Sequence, residues 1–512
     1  MLETVYREKN YLKILLLFII IAFFIPLGFV PLFDLDEGAF SEATREMLVG
    51  GDYITTYLNG ELRFDKPILI YWFQLLSVKS FGLNEFALRL PSAIAGALWA
   101  LAIFEFTKRV INNKTAFFAT IFMISSLQIN LIAKASIADA LLNLFIALSM
   151  FYIYLYFKNR DKKSLYLTFL FIGLGTLTKG PVAIMIPFIV SLILFSIRGE
   201  FKEWLKMLFN FKGILIFLLV ALPWYILEYM AQGQAFIDGF FLKHNLSRFS
   251  SAMETHSGSI FYFIPVLIIG VMPFTYFALK AIRNIKSYFR DDLKLYLFIW
   301  FAFVFIFFSL SGTKLPHYII YGYTPLFILS ALYIKEFNKN WLIYPLLIFL
   351  TLLLFLPDIA TVFKSSIRDK LAVVLVENAY RTFDIWYRLS LLALIISLIF
   401  MIIRDIKKET LLLGVGLVMI VVVNFVAIPA YGKLMQQPIK EAGLLAKKRG
   451  YKNIIMYKIN NPSFNVYYEG LVLKQKPNNG DILFTKVTKL KDFKEYRVIY
   501  RKNGFALIKV LL

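Results

Sequence analysis

The stretch PLFDLDEGAFSEATREMLVGGDYITTYLNGELRFDKP, residues 31–67, sets the organisation of this chain. It follows the first long apolar run, so it emerges at a membrane face, and it is too polar to cross a membrane itself. It combines the basic residues Arg45, Arg63 and Lys66 with a larger acidic set: Asp34, Asp36, Glu37, Glu42, Glu46, Asp52, Glu61 and Asp65. This composition predicts a juxtamembrane loop, about residues 32–86, that carries the reactive groups of the protein.

Composition places the chain in a membrane. Of its 512 residues, 59% are hydrophobic and 17% are charged, and none is Cys, whereas a soluble protein averages about 45–50% apolar and about 25% charged residues. The apolar runs are continuous rather than alternating, which predicts helices and not a barrel. The absence of Cys excludes disulfides and thiolate metal sites.

Hydropathy predicts a mainly α, polytopic membrane protein, with about thirteen spans in residues 1–433. A secretory signal is the alternative for the first run, but that run is long and no small-residue cleavage site follows it. The first span lies near 12–31 and the others centre on 88–107, 115–133, 138–157, 165–178, 181–197, 211–230, 259–279, 295–310, 316–333, 340–357, 386–403 and 411–430.

The net charge of +23 is concentrated in short clusters between apolar runs. This is the positive-inside pattern, so the clustered side is predicted to be cytoplasmic. The juxtamembrane loop and the tail after an odd number of spans then lie on the extracytoplasmic side. No basic face with stacking aromatics is evident, and nucleic-acid binding is therefore not expected.

Residues 434–512 have the composition of a small soluble α/β domain. A helix is predicted from Gln437-Pro438 to a stop at Gly450, followed by strands and a second helix. Asn503-Gly504 predicts the turn of a terminal hairpin. We expect this domain on the extracytoplasmic side, supported by the membrane part.

Asp36 and Glu37 begin a predicted amphipathic helix with Phe40, Ala43, Met47 and Leu48 on its apolar stripe. Such a helix favours a position in the interface plane. The carboxylate of Asp34 or Asp36 has two interpretations that can coexist, an N-terminal cap and a catalytic group.

Lys66 and Asp139 are the next candidates. Lys66 precedes a second predicted interfacial helix that opens at Pro67, where its ammonium would meet a lipid phosphate or only snorkel to the interface. Asp139 begins the fourth predicted span, so it is a candidate catalytic carboxylate or a helix cap.

Further candidates lie in two later loops. His244 and Arg248 are four residues apart and would share a helical face, where an arginine could bind phosphate. Lys314 and Tyr318 lie in a polar turn that either faces substrate or anchors the interface. With three His in the chain, no metal site built from His alone is predicted.

Taken together, these landmarks resemble the bacterial GT-C glycosyltransferases related to aminoarabinose transferase and protein O-mannosyltransferase. The resemblance covers most of residues 30–325, and the tail motif PIKEAGLLAKKRG extends it. The turn at 315–318 reads LPHY where close relatives often have LPPY, which bears on fine specificity. The stretches in family order are DLDEGAFSEATREML, RFDKPILIYW, RLPSAIAG, SIADALL, GLGTLTKGP, HNLSRF and GTKLPHYIIYGYTPL.

The resemblance implies an inverting transfer from an undecaprenyl phosphate-linked sugar, most simply aminoarabinose to lipid A, at the outer face of a bacterial inner membrane. It implies a catalytic role for Asp36, a donor-phosphate contact for Lys66 and, less directly, Arg248. Asp139 and His244 fall on positions of the same cavity. Glu37, Arg45, Lys314 and Tyr318 complete the set of cavity candidates.

Two alternatives remain open at this point. The acceptor would instead be a protein hydroxyl or another envelope glycan, or the protein would be a transporter of lipid-linked sugars. A transporter is expected to place charges at mid-membrane, whereas the notable charges here cluster at one face. A divalent metal is a possible cofactor that the sequence does not require.

Overall fold

The computed structural model describes residues 8–247, 258–335 and 337–511, and this part of the chain is mainly helical. Within it, seven helices are long and apolar enough to cross a membrane. Each coincides with a predicted span. They are Glu85–Val110, Asp139–Asn159, Phe211–Gln232, Asp292–Leu310, Lys339–Val362, Ile385–Ile403 and Lys408–Met435. Two shorter apolar helices, Tyr11–Phe24 and Val182–Ile197, accompany them.

The remaining membrane-part helices are shorter. The first and second juxtamembrane helices are Asp36–Gly50 and Leu69–Phe81. The others are Asn113–Ser125, Leu127–Ile132, Lys162–Lys179, Phe201–Leu208, Gln234–Phe236, Phe263–Gly270, Thr275–Arg283, Tyr323–Ala331 and Lys370–Ala379, and the span Lys408–Met435 ends in the helix Ile428–Met435. Single turns of 3₁₀ helix and segments of π-helix complete this part: Glu8–Asn10, Ile20–Phe24, Ile237–Ser247, Ile285–Arg290, Pro316–Gly322, Lys364–Ser366 and Val422–Ala427.

Three predicted spans are broken rather than continuous. The 115–133 run breaks at Ser126, which is extended, and the 259–279 run breaks at Pro273, which has no backbone N–H to donate. The two breaks face each other, because Leu127 N donates to Met272 O over 2.9 Å. The 316–333 run begins as the 3₁₀ helix Pro316–Gly322. Continuous apolar composition does not reveal such breaks.

The juxtamembrane loop contains a hairpin between its two helices. Strands β1 (Tyr57–Leu58) and β2 (Glu61–Leu62) pair antiparallel. The turn uses Asn59 and Gly60 at φ 57° and 77°. The Glu46 carboxylate accepts from both turn N–H groups, at 2.5 and 2.8 Å. The hairpin is thereby tied to the end of the first juxtamembrane helix.

The first juxtamembrane helix confirms one part of its prediction and corrects another. Phe40, Ala43 and Met47 are buried, as the apolar stripe requires. The opposite side is buried as well, because Glu42 and Arg45 are enclosed and paired at 2.6 Å. A helix lying in the interface plane would leave this polar side exposed, but the C-terminal helix Pro462–Tyr468 packs against this helix.

Residues after 436 form helices Gln437–Lys448 and Pro462–Tyr468 and a four-stranded sheet. The sheet order is β3-β4-β6-β5, with β3–β4 parallel and the other pairs antiparallel. Asn503 adopts φ 48° in the hairpin turn, as the sequence predicts. The strands are β3 (Ile455–Tyr457), β4 (Ile482–Lys486), β5 (Glu495–Lys502) and β6 (Phe505–Leu511).

This C-terminal unit is joined to the juxtamembrane segment by polar contacts. The buried Tyr467 hydroxyl accepts from Leu32 N at 2.8 Å. The Asp34 carboxylate accepts from Asn461 Nδ2 and Ser463 N, both at 2.9 Å. Burial raises the pKa of Asp34 to about 6 against these hydrogen bonds. Asp34 is therefore committed to the junction and does not cap the helix.

Candidate functional site

A polar cavity of about 370 Å³ lies where the juxtamembrane segments meet the ends of several apolar helices. The C-terminal unit closes one side through Asn460 and Pro462. The charged and hydrogen-bonding side chains that line the cavity are Asp36, Arg63, Asp65, Lys66, Asp139, Lys179, His317 and Tyr318. The structure thus brings together Asp36, Lys66, Asp139 and Tyr318 of the predicted set.

Asp36 presents an available carboxylate to this cavity. It is the first residue of its helix, exposed, and the N-terminal cap position is Leu35 with no side-chain cap. No hydrogen bond joins the Asp36 carboxylate to another residue in the described ranges. The capping interpretation is therefore wrong for the side chain of Asp36, although the carboxylate still complements the helix dipole.

The segment Arg63–Lys66 forms a charged wall of the cavity. Arg63 Nη2 lies 3.2 Å from Asp65 Oδ2, and the guanidinium lies 5.3 Å from the centre of the Phe40 ring. Lys66 Nζ donates to Asp65 O at 2.9 Å, which holds the ammonium against the wall. His244 Nδ1 lies 2.5 Å from Asp65 Oδ1. Burial opposes ionisation of Asp65, but Lys66, His244 and Arg63 hold its pKa well below the usual value. The wall therefore carries a net positive charge.

The second carboxylate in the cavity, Asp139, is buried and already engaged. Lys179 Nζ and the Tyr321 hydroxyl both donate to Asp139 Oδ1 at 2.7 Å. No side-chain cap bond forms at this helix start, so the capping interpretation is wrong here too. Gly180, at φ 79°, ends the helix Lys162–Lys179 directly after Lys179, and the lysine side chain points into the cavity. A paired carboxylate is a weaker proton acceptor than the available one at Asp36.

A second, partly apolar groove of about 200 Å³ continues from the cavity. It shares Asp65, Lys66, Lys179 and Tyr318 with the cavity, and it also contains His244. Its other wall is apolar and comprises Pro181, Val182, Met185, Phe307 and Phe308. The charged wall of Lys66 therefore stands at the junction of a polar chamber and an apolar passage.

Glu37 points away from the Asp36 cavity. Its carboxylate accepts two hydrogen bonds from Arg89, at 2.8 and 2.6 Å, and further ones from Phe33 N and Ser136 N. Burial opposes its ionisation, but Arg89 and these N–H groups lower the pKa of Glu37. These hydrogen bonds give Glu37 a structural role at the start of the first juxtamembrane helix.

Two other candidates, Arg45 and Lys314, do not line the cavity, and a third is not described. Arg45 pairs with Glu42 inside the first juxtamembrane helix. Lys314 is buried, and its Nζ donates to Ser309 O and Ser311 O at 3.0 and 2.6 Å. Arg248 lies outside the described residues. The predicted roles of these three in binding stay predictions.

Sequence reasoning did not assign Arg63, Asp65, Lys179 or His317 to the site. Arg63 and Asp65 were visible as charges beside Lys66 in RFDKP, and Lys179 stood before a glycine at the end of an apolar run. His317 belongs to the same turn as Tyr318. The missing information was tertiary, because only the packing of five separate segments puts these groups in one cavity.

The donor groups of the described residues do not form a metal site. Across the described ranges, no group of three or more His, Asp and Glu side chains is placed to hold a metal ion. In the cavity, Asp65 and Asp139 are each engaged by cations.

Comparison with known proteins shows which families and proteins this chain is similar to. The family profile described as dolichyl-phosphate-mannose-protein mannosyltransferase matches residues 65–227. An undecaprenyl phosphate-alpha-4-amino-4-deoxy-L-arabinose arabinosyl transferase of Proteus mirabilis is 31% identical over 329 residues. That match spans 63% of this chain and 59% of the relative, less than two thirds of its length. An uncharacterized protein of Aquifex aeolicus is 31% identical over 60% of this chain and 69% of its own length.

The fold has a counterpart among solved structures. The crystal structure of ArnT from Cupriavidus metallidurans bound to undecaprenyl phosphate matches with a TM-score of 0.82. The match covers 98% of both chains at 18% identity, so it concerns the fold. Together, the profile and the sequence relatives show that the larger part of this chain is similar to membrane sugar transferases, and the solved structure shows that it shares their fold.

Proposed function

We propose that this protein transfers a sugar from a polyprenyl phosphate-linked donor to an acceptor at the extracytoplasmic face of the membrane. The observation that carries the proposal is a single cavity in which the available Asp36 carboxylate and the cationic wall of Lys66 and Arg63 share one space. A transfer with inversion needs a group that deprotonates or orients the acceptor, and cations that stabilise the departing phosphate. Asp36 supplies the first and Lys66 with Arg63 the second.

The groove beyond Lys66 suits the polyprenyl chain of the donor. A phosphate at the Lys66 wall leaves its hydrocarbon next to Val182, Met185 and Phe307. The printed name of the Proteus relative specifies an undecaprenyl phosphate-linked aminoarabinose, and the solved ArnT holds undecaprenyl phosphate. These names support undecaprenyl phosphate as the carrier and aminoarabinose or a related sugar as the transferred group.

For the acceptor we propose lipid A, with protein hydroxyls and other envelope glycans as the alternatives. The class alternative is a transporter of lipid-linked sugars. The reactive groups gather in one cavity at one end of the helices, which favours an enzyme. In proteoliposomes, we expect release of polyprenyl phosphate from a sugar-linked donor when acceptor is present. Movement of the intact donor between leaflets without its consumption would favour the transporter.

The topology belongs to the same proposal. We propose about thirteen spans in residues 1–433, with the cavity and residues 434–512 on the extracytoplasmic side of a bacterial inner membrane. The alternating basic clusters support this orientation. Helices occupy the thirteen hydropathy peaks, although several are short or broken.

The orientation predicts a labelling pattern, and the chain has no native Cys to interfere. In intact cells, Lys162→Cys should resist an impermeant thiol reagent because its loop carries a basic cluster. Asn478→Cys should react, because it is exposed on the C-terminal unit. Labelling after permeabilisation controls for access to each site. The reverse pattern would contradict the outward placement of the cavity.

Removing the ammonium of Lys66 should weaken donor binding more than it changes stability. A lost charge-assisted contact corresponds to ~1.5–3 kcal/mol of binding free energy. The measurement is the affinity of purified Lys66→Ala protein for undecaprenyl phosphate. Lys79→Ala is the matched control, because Lys79 lies on the second juxtamembrane helix outside the cavity and groove. Equal affinity of both variants would exclude Lys66 as a donor contact.

A further inference from the structure

A separate cavity of about 250 Å³ lies behind the wall that carries Asp36. One side is the chain that follows helix Tyr11–Phe24, and the other is the end of the span Lys408–Met435. Its apolar lining comprises Pro26, Val30, Phe33, Leu131, Ile428 and Tyr431. The residue pair Asp36–Glu37 divides the two cavities, since Asp36 lines the first and Glu37 the second.

The polar feature of this second cavity is Lys134, which is only 9% exposed. Its ammonium donates to Asn130 O and to Asn424 Oδ1, both neutral groups. Within the described part of the chain, no carboxylate lies within ion-pair distance of Lys134. Glu37 in the same cavity is already neutralised by Arg89 at 2.6 Å. The ammonium form of Lys134 is therefore uncompensated in this cavity.

Such a charge is costly unless an anion accompanies it. Burial, and then the nearby Arg89, lower the pKa of Lys134 to about 7. A bound anion would favour the ammonium form and remove this cost. The two hydrogen bonds to neutral oxygens orient Nζ but do not supply the missing charge.

The surroundings of Lys134 connect it to the membrane side of the molecule. Leu131 and Tyr431, which line the cavity, are 36% and 48% exposed and mark its mouth. Both neighbouring apolar helices widen into π-helix at this level, over Ile20–Phe24 and Val422–Ala427, and the second segment supplies Asn424. Isolated π segments inside helices occur often at functional sites. The opening thus combines an apolar entrance with a cation at its inner end.

We propose that this cavity binds one anionic phospholipid, with its phosphate at Lys134 and its acyl chains between the two helices. The site differs from the donor cavity and goes beyond the proposed transfer reaction. A lipid here would support the wall that positions Asp36, because Ser136 N donates to Glu37 at 2.8 Å directly behind that wall. Charge complementarity and the membrane-facing mouth select a membrane phospholipid over a soluble anion.

Native mass spectrometry of the purified protein with phosphatidylglycerol tests the proposal. The wild-type protein should retain one phosphatidylglycerol, and Lys134→Met should bind it on the order of tenfold or more weakly, as expected for loss of a charge-assisted contact. Lys433→Met is the matched control and should bind as the wild-type protein does, because Lys433 is exposed on helix Ile428–Met435 outside the cavity.

Three further arms decide the outcome. Leu131→Trp keeps the cation but fills the apolar mouth, and it should also lose the lipid, which covers the case in which Lys134→Met does not fold. Phosphatidylcholine should bind more weakly than phosphatidylglycerol, and inorganic phosphate alone should not protect the protein against heat. Four results would each overturn the proposal. Lys134→Met would retain phosphatidylglycerol as the wild-type protein does, or Leu131→Trp would bind it unchanged. Phosphatidylcholine would bind as well as phosphatidylglycerol, or inorganic phosphate would protect the protein against heat as well as phosphatidylglycerol does.

Discussion

Replacing Asp36 with asparagine is expected to lower the rate of sugar transfer by ~10²-fold or more while leaving the fold intact. Asparagine is nearly isosteric and keeps an oxygen acceptor, but it loses the negative charge and the basicity. In the structure the Asp36 carboxylate makes no cap bond and faces the cavity. The substitution therefore removes chemistry without removing a structural contact.

The measurement is the transfer rate at saturating donor and acceptor, beside thermal stability in the same detergent. Asp52→Asn is the matched control, because Asp52 is an acid of the same loop whose carboxylate accepts from Ile54 N and Thr55 N outside the cavity. Normal turnover by Asp36→Asn would exclude Asp36 as the base. Asp139 would then be the next carboxylate to test, despite its pairing with Lys179.

Replacing Arg89 with methionine is expected to destabilise the protein by ~3–5 kcal/mol, the scale for breaking a buried ion pair. Arg89 is 3% exposed and donates to Glu37 and to the carbonyl groups of Leu27, Val30 and Pro31. Methionine fills similar space but leaves the buried Glu37 carboxylate without its counter-ion. The end of the first apolar helix and the start of the juxtamembrane helix would lose their common anchor.

The free energy of unfolding in detergent checks this expectation. Lys108→Met is the control on the same helix. Lys108 is exposed and its Nζ lies 3.9 Å from Glu105 Oε1, and such a surface ion pair contributes about 0–1 kcal/mol of stability. If Arg89→Met and Lys108→Met unfolded with equal free energies, the proposed anchor would be wrong.

The sequence predicted the elements that depend on local pattern. Hydropathy located the seven long apolar helices, since a continuous apolar run of span length has few other structures available. The first juxtamembrane helix followed from the spacing of Phe40, Ala43 and Met47. The terminal hairpin followed from Asn503-Gly504, whose turn requires residues that tolerate positive φ.

What the sequence did not reveal depends on packing between distant segments. Glu42 and Arg45 are buried on a helix that packs against Pro462–Tyr468, a helix more than 400 residues away in the chain. The pairing of Asp139 with Lys179 and Tyr321 joins three separate segments. Glu37 and Asp36 are neighbours in sequence, yet at the start of the helix their side chains line different cavities. No local pattern contains these relations.

Turnover of a defined donor by the purified protein tests the central claim most directly. The protein would be incubated with undecaprenyl phosphate-linked aminoarabinose and lipid A, and donor and products would be followed by mass spectrometry. We predict release of undecaprenyl phosphate and addition of the sugar mass to the acceptor, with both signals reduced together in Asp36→Asn. An intact donor in the presence of lipid A, protein acceptors and other envelope glycans, with related polyprenyl-linked sugars equally unconsumed, would contradict the proposed transfer.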